Sequence, residues 1–422
     1  MKTMFRKGGM VAVDERTPLV LVAGWRGSIE SVAQSLLDEE TIVVHHSLDA
    51  VEAGLVPRTV TTIYEGRRIQ HIGVLKLDHG CVSCALRKDL LPLLRQLHRR
   101  SNVSRIVVQL DPQLEPEALA WAIEHIVVSG MVGYIDGPAA RDVRIEGVVT
   151  CIDSETWLDD ATGDARLTDG RTVAQVAVGQ VAFADALVVS GRSDDGWAQA
   201  RLHATLARLA PGAPIQWGVS AGFFVDRLLS VISPISRRGA IGDVFEPLLR
   251  GEPPLHEDCG VALFEFTADR PFHPERLHDA VEVLLDGVLT ARGRIWLATQ
   301  NDQVLWLESA GGGLRVTSAG RWLAAMTADE LDNAAPTRRA MAALTWDERF
   351  GDRHTSLVVL AHAADPAEID RALRWALLTD DELGASEQWQ AWPDPFGRAH
   401  TDPCGTSESP YAETDYRGEE RE

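Results

Sequence analysis

Between residues 17 and about 232 the chain alternates short β-rich runs with amphipathic helical patterns, and this alternation limits the fold more than any other feature. Strand-like runs fall at Pro18–Ala23, Thr41–Val44, Gln70–Leu77, Arg105–Leu110, Ile145–Ile152 and Ala186–Ser190. Helical patterns lie between most of them. In Ala85–Leu97, for example, Leu86, Leu90, Leu93, Leu94 and Leu97 line one face. Parallel neighbours need a crossover, normally a helix, so the pattern predicts an α/β fold: a mainly parallel sheet covered by helices on both faces. Ligands in such folds sit at the carboxyl ends of the strands.

The pattern breaks after residue 232. The stretch from Ser233 to Gly260 is rich in Pro, Gly and charge, as linkers are. From Val261 the order becomes strand, helix (Pro274–Leu285), three strands (Arg294–Thr299, Val304–Glu308, Leu314–Thr317), a helical stretch, strand (Ser356–Ala361) and helix (Pro366–Leu378), which predicts a smaller α+β domain with an antiparallel sheet. The Gly311-Gly312-Gly313 run reads as a turn between strands, since no helix follows it directly. The expected organisation is an N-terminal extension (1–16), an α/β domain (17–232), a linker (233–259), an α+β domain (260–385) and a polar, acidic tail (386–422), expected to be disordered from about Thr401.

Charge and cysteine usage narrow the class of function. The 422 residues carry 41 Lys and Arg against 62 Asp and Glu, a formal charge of −21. A field of that sign repels nucleic-acid phosphate, so no DNA partner is expected, and it attracts basic proteins when it does more than keep the chain in solution. No run approaches the length of a membrane span, and no apolar segment follows Lys2, Arg6 and Lys7, so no membrane association is expected and the cytoplasm is the expected location. Five scattered cysteines are too few for a disulfide framework. Cys151, in an apolar run, reads as a small buried hydrophobe. His273 and His278, five residues apart, suit cap or surface roles better than shared ligation. The late tryptophans read mostly as core or rim of the second domain.

The first predicted strand runs into Gly24-Trp25-Arg26-Gly27-Ser28-Ile29-Glu30-Ser31 and then a helix, the place of a phosphate-binding loop. Against the pattern G-x-x-x-x-G-K-[ST] the segment keeps Gly24 and the hydroxyl of Ser31, with Gly27 between them. Ile29 replaces the second Gly and Glu30 the Lys. A carboxylate near 4 Å from phosphate costs roughly 4 kcal/mol at an effective dielectric of 20, about three decades in affinity. The residues thus predict a degenerate loop that binds no GTP, with no catalytic residue left, and a protein that is not an enzyme.

Cys81 and Cys84 follow the third strand-like run and open a helix, where two thiols three apart can chelate one ion and the helix terminus favours thiolate. A thioredoxin-type redox pair begins the same way. One such pair is half a tetrahedral zinc site, so further ligands are required.

With these motifs in place the chain resembles the CobW family of P-loop GTPases and metallochaperones over nearly its whole length. His79-Gly80-Cys81-Val82-Ser83-Cys84 stands where the family carries Gly-Cys-x-Cys-Cys, with Ser83 in place of the middle Cys. The segments Arg270–Leu277, Gly293–Ala298 and Gly351-Asp352-Arg353 are similar to signature stretches of its C-terminal domain. Gln109-Leu110-Asp111-Pro112 replaces the family's Glu-[ST]-[ST]-Gly, and Ser190-Gly191-Arg192-Ser193 replaces its guanine-reading Asn-Lys-x-Asp.

The resemblance implies zinc as the metal. It also implies His46, at the position of a family Glu that shares metal with the cysteines, as a third ligand, with His45 and His79 as neighbours in reserve. Within the family the combination most resembles actinobacterial, mycobacterial-type paralogues that recruit a basic ribosome hibernation promoting factor to the ribosome when zinc is scarce. That implies a non-catalytic, zinc-responsive adaptor. The alternative implied by typical members is a GTP-dependent zinc metallochaperone, and a thiol redox protein is the third reading.

Overall fold

The computed structural model describes residues 14–77, 82–191, 194–218 and 225–397. The first half holds eight strands: β1 (Thr17–Trp25), β2 (Thr41–His46), β3 (Leu55–Tyr64), β4 (Arg67–Lys76), β5 (Arg105–Gln109), β6 (Val143–Asp153), β7 (Ala186–Ser190) and β8 (Ile215–Trp217). They form one sheet in the order β4-β3-β2-β5-β1-β6-β7-β8. From β2 to β8 every pairing is parallel, while β3 and β4 form an antiparallel hairpin on one edge.

The crossover helices are α1 (Ile29–Ser35), α2 (Val82–His98), α3 (Pro116–His125), α4 (Trp157–Thr162), α5 (Val173–Ala182) and α6 (Gly196–Leu209), and α7 (Val225–Ser230) follows the last strand. Alternation along β1 shows why both faces must be covered. Leu19, Leu21 and Ala23 pack with Ile42, Val44, Ile106 and the leucines of α2. Val20 and Val22 point the other way, onto Ile29 and Val32 of α1 and Val225 and Leu228 of α7. Strand side chains alternate faces, and each fully buried Val or Leu contributes about 1.5–3 kcal/mol. A doubly apolar strand such as β1 is therefore stable only with a helical layer on each side.

The second half holds β9 (Ala262–Ala268), α8 (Pro274–Ala280), β10 (Val288–Ile295), β11 (Gln303–Ala310), β12 (Gly313–Arg321), α9 (Ala328–Asn333), α10 (Pro336–Leu344), β13 (Thr355–Ala361), α11 (Pro366–Ala376) and α12 (Asp380–Gly384). The order β12-β11-β10-β13-β9 is antiparallel throughout. One face packs on α8 and α11 through Leu277, Ile369, Leu373, Leu305 and Leu307. On the other, Leu263, Leu289, Trp306, Val358 and Leu360 share a core with Ala174 and Val178 of α5 and Leu206 and Leu209 of α6. The two sheets are thus joined by a layer of helices. The segment 233–259 is packed too: Val244 and Leu248 belong to the shared core, and the Arg294 guanidinium donates to the carbonyls of Val244 (2.5 Å) and Glu246 (3.1 Å). Among the described residues no helix is long and apolar enough to cross a membrane.

The Gly311-Gly312-Gly313 turn joins β11 to β12 as the sequence predicts, but it is also a contact between the two halves. The Gly312 N–H donates to Gly163 O at 3.2 Å, and a Cβ on Gly311 would collide with that same carbonyl. Cys151 is fully buried, which pushes its thiol up well beyond the usual range. His273 occupies the residue before α8 without capping it and stacks on Trp392 at 4.8 Å, while His278 lies edge-on to Phe396. Trp296, Trp306, Trp322 and Trp389 are core residues, whereas Trp346 and Trp375 are exposed.

Candidate functional site

The loop after β1 is held in shape by steric contact with β6. Gly24 has φ +154°, and a Cβ there would run into the Cys151 carbonyl; one on Gly27 would stand 2.6 Å from the Cys151 carbonyl carbon. Arg26 sits in the left-handed region at φ 53°, a strained conformation for a residue with a Cβ. Its guanidinium lies 3.5 Å from Asp160 of α4. The loop backbone is therefore fixed against β6 at both glycines.

The side chains have changed roles. Ile29 is buried in the core with Val32 and Cys151, while Glu30 and Ser31 are exposed on the first turn of α1. Ile29, which replaces the motif's second Gly, thus fills the core beneath the loop. Among the described residues, the hydroxyls of Ser28, Ser154 and Thr156, beyond the carboxyl ends of the central strands β1 and β6, are buried without hydrogen-bond partners. Buried polar groups are nearly always satisfied, so orphaned hydroxyls fit a site that takes a polar ligand. Gly191, at the end of β7, closes in on Ser154: a Cβ there would stand 2.8 Å from its Oγ. Arg192 and Ser193 lie outside the described residues.

The second constellation sits on the opposite side of β2. His46 is 3% exposed, and its Nε2 lies 2.9 Å from Asp89 Oδ2. The Arg58 guanidinium of β3 donates to Asp89 Oδ1 at 2.5 Å. One carboxylate on α2 therefore ties two strands to the helix that also carries Cys84. Burial alone would raise the Asp89 carboxyl, but the bonds from His46 and Arg58 outweigh it and hold the group below its ordinary value. With Nε2 engaged by the carboxylate, Nδ1 is the nitrogen left for a metal, which is how ligating imidazoles are commonly oriented.

His45 does not join this group. Adjacent strand residues point to opposite faces, and its Nδ1 instead lies 3.0 Å from the Gln109 carbonyl oxygen on the neighbouring strand. The sequence placed His45 beside His46 as a reserve ligand; the pleat separates them. Cys84 is half-buried on the first turn of α2, and Cys81 and His79 lie outside the described residues. Among the described residues no three His, Cys, Asp or Glu side chains converge as a metal cage. The strand before the thiols, β4, is the outermost of the sheet.

Sequence reasoning missed three polar residues that organise this end of the sheet. Asp89 and Arg58 are two. The third is Asp111, just past β5, which accepts from the backbone N–H of Leu48 (2.8 Å) and Gln113 (3.1 Å) and so fastens the loop after β2. Asp89 alone stands out in the sequence, as the one acid of α2, but nothing local names its partners.

A cavity of about 240 Å³ opens between the two halves, lined among others by Glu115, Arg171, Arg292, Trp306, Glu308 and Arg315. Burial pushes the Glu308 carboxyl up, as does Glu117 nearby, against the pull of Arg292 and Arg315. Glu115 is raised mainly by burial, with Arg171 opposing and Glu308 and Glu117 adding to the rise.

Comparison with known proteins agrees with this architecture. Residues 42–216 match the CobW/HypB/UreG nucleotide-binding domain, a span that starts just after the glycine loop, and residues 261–377 match the cobalamin synthesis protein CobW C-terminal domain. A Mycobacterium tuberculosis protein named as a zinc chaperone is 51% identical over 389 residues, 92% of this chain and 95% of the relative. A Dictyostelium discoideum protein named zinc-regulated GTPase metalloprotein activator 1 is 23% identical over 76% of this chain and 70% of its own length. The Zn(II)-bound YjiA GTPase of E. coli aligns over 86% of this chain and 99% of its own, with 14% identity and a TM-score of 0.34. These matches correct the expectation that the protein is not an enzyme: a nucleotide-binding domain model spans its first half, a relative carries a GTPase name, and substituted loop residues do not establish that activity has been lost. The parallel sheet with its glycine loop, the antiparallel second sheet and the near full-length identity to a zinc chaperone lead to one assignment: the chain belongs to the CobW family of P-loop GTPases with a CobW C-terminal domain.

Proposed function

We propose that this protein is a GTP-dependent zinc metallochaperone, in which zinc is cargo passed to a client protein. The observation that carries the reading is the Arg58–Asp89–His46 brace, which fixes an imidazole on the strand beside the helix that bears Cys84. The half-identical zinc chaperone supports it. Cys81 and Cys84 would supply thiolates and His46 a nitrogen, leaving one position open. An open site exchanges metal faster than a closed one, as handover requires.

The nucleotide would be held by backbone amides around Gly24 and Gly27, with Ser31 as the remaining hydroxyl of the motif. Glu30 works against a triphosphate, but as an exposed carboxylate it is screened by salt and water. Two measurements test the reading: zinc titration against a chromogenic chelator for the native chain and for Cys81→Ala, Cys84→Ala and His46→Ala, and calorimetry with GTP and Mg²⁺. Unchanged zinc stoichiometry in all three variants would overturn the metal site, and absence of GTP binding would overturn the nucleotide dependence.

As to the client, the net charge of −21 supports a basic protein, and a ribosome hibernation promoting factor brought to the ribosome under zinc limitation fits that chemistry. Capture of bound proteins from zinc-starved cells tests this. A hibernation factor bound at low salt and lost at 1 M NaCl is the expected result; its absence, or binding indifferent to salt, would count against it.

A further inference from the structure

The hairpin of β3 and β4 leaves the body of the sheet. The register of β2 on β3 covers only Arg58–Thr61, and β4 is bonded on one side alone. Eight of the ten residues of β4 are exposed, only Gly73 and Leu75 being half-buried. Ile69, Ile72 and Val74 are among the exposed ones, with Tyr64 beside them at the end of β3.

Long unpaired edges are a hazard that proteins normally blunt with proline, a bulge, short length or charged side chains. β4 has no proline, and its pairing with β3 runs without a register shift from Arg67 to Lys76. What it does carry is charge. Arg67, Arg68 and Lys76 share the strand with His71 and with no carboxylate, and among the described residues none of the three cations has an acidic partner. This is a basic strip on a protein of charge −21. Two copies joined edge to edge would bring two rows of cations together, which disfavours self-pairing. An acidic strand with interspersed apolar residues meets both the cations and the branched side chains.

We propose that β4 is a docking strand for an extended, acidic segment of a partner protein, added to the sheet through main-chain hydrogen bonds. The inference does not depend on zinc handling.

The test uses the full chain and a fluorescein-labelled decapeptide alternating Glu and Val, followed by anisotropy at low and at 0.5 M salt. Expected are saturable binding, a loss of at least tenfold in the Arg67→Glu, Arg68→Glu double variant, and a similar loss for a peptide N-methylated at alternate residues, which lacks the donors needed to join a sheet. A Lys/Val peptide should not bind. Three results would each overturn the proposal: no binding of the acidic peptide, equal binding of the N-methylated one, or a chain that sediments as a dimer and becomes monomeric on Ile72→Lys. Circular dichroism of the exposed-site variants confirms that they fold.

Discussion

The glycine loop and the His46 brace flank the same part of the sheet and are stabilised by opposite means. The loop is fixed by exclusion: two glycines rest on the Cys151 backbone, where no side chain fits. The brace is fixed by attraction, one carboxylate accepting from two partners. Shape held by backbone contact survives side-chain replacement, so the loop retains its course although Ile29 and Glu30 have changed its chemistry. An arrangement held by one charge has no such tolerance. Reading activity from loop side chains alone therefore led too far, and the loop's geometry proved the more durable record.

The sharpest way to break this contrast is Gly24→Ala. The added methyl meets a main-chain carbonyl that cannot rotate away, so a loss of about 3 kcal/mol or more is expected in chemical denaturation. A variant as stable as the native chain would show that the loop is not sterically set.

Next in size is Asp89→Ala, which leaves His46 and Arg58 facing an empty acceptor. A loss of about 2–3 kcal/mol is expected, with zinc affinity falling about 10–100-fold if Asp89 orients the ligating imidazole. The sign with pH follows from the depressed carboxyl: its stabilisation is present above the ordinary Asp range and is lost as pH falls through the folded value. Urea midpoints of the native and variant proteins should converge in acid. A gap that stays constant would assign the loss to packing.

Glu30→Lys sharpens the loop side. Reversing one exposed charge should tighten GTP by about tenfold at low ionic strength, and the gain should shrink as salt is added. Calorimetry measures both. Equal affinity would mean that Glu30 points away from the bound nucleotide.

The smallest effect concerns the cavity. Glu308 is raised by burial and by Glu117, so its contribution is most favourable below the ordinary Glu range and is lost as pH rises through the folded value. Glu308→Gln should therefore melt a few degrees higher at neutral pH, and the difference should vanish below about pH 4. Differential scanning calorimetry at the two pH values checks it.

Much of the fold was legible because its strands announce themselves. β7 falls at Ala186–Ser190 as expected, and β1 and β5 differ only at their ends, since buried parallel strands read as unbroken apolar runs. β3 was not seen. Its Thr-rich sequence includes Pro57, and much of it is only partly covered, so no apolar rhythm marks it. Missing β3 hid the fact that β4 is an edge, which no local pattern records. At the site, the separation of His45 from His46 was available from the two-residue period of strands. The role of Asp89 was not, because a partner 43 residues away exists only once α2 has packed on β2.

The three-glycine turn has a mechanical meaning. It abuts the carbonyl that ends α4, the helix whose Asp160 neighbours Arg26 of the glycine loop. Glycine meets glycine there, with Asp164, Thr172 and Ala174 crowding the same turn. A side chain at any of the three glycines would push the two halves apart, so this joint between them is set by the smallness of its residues.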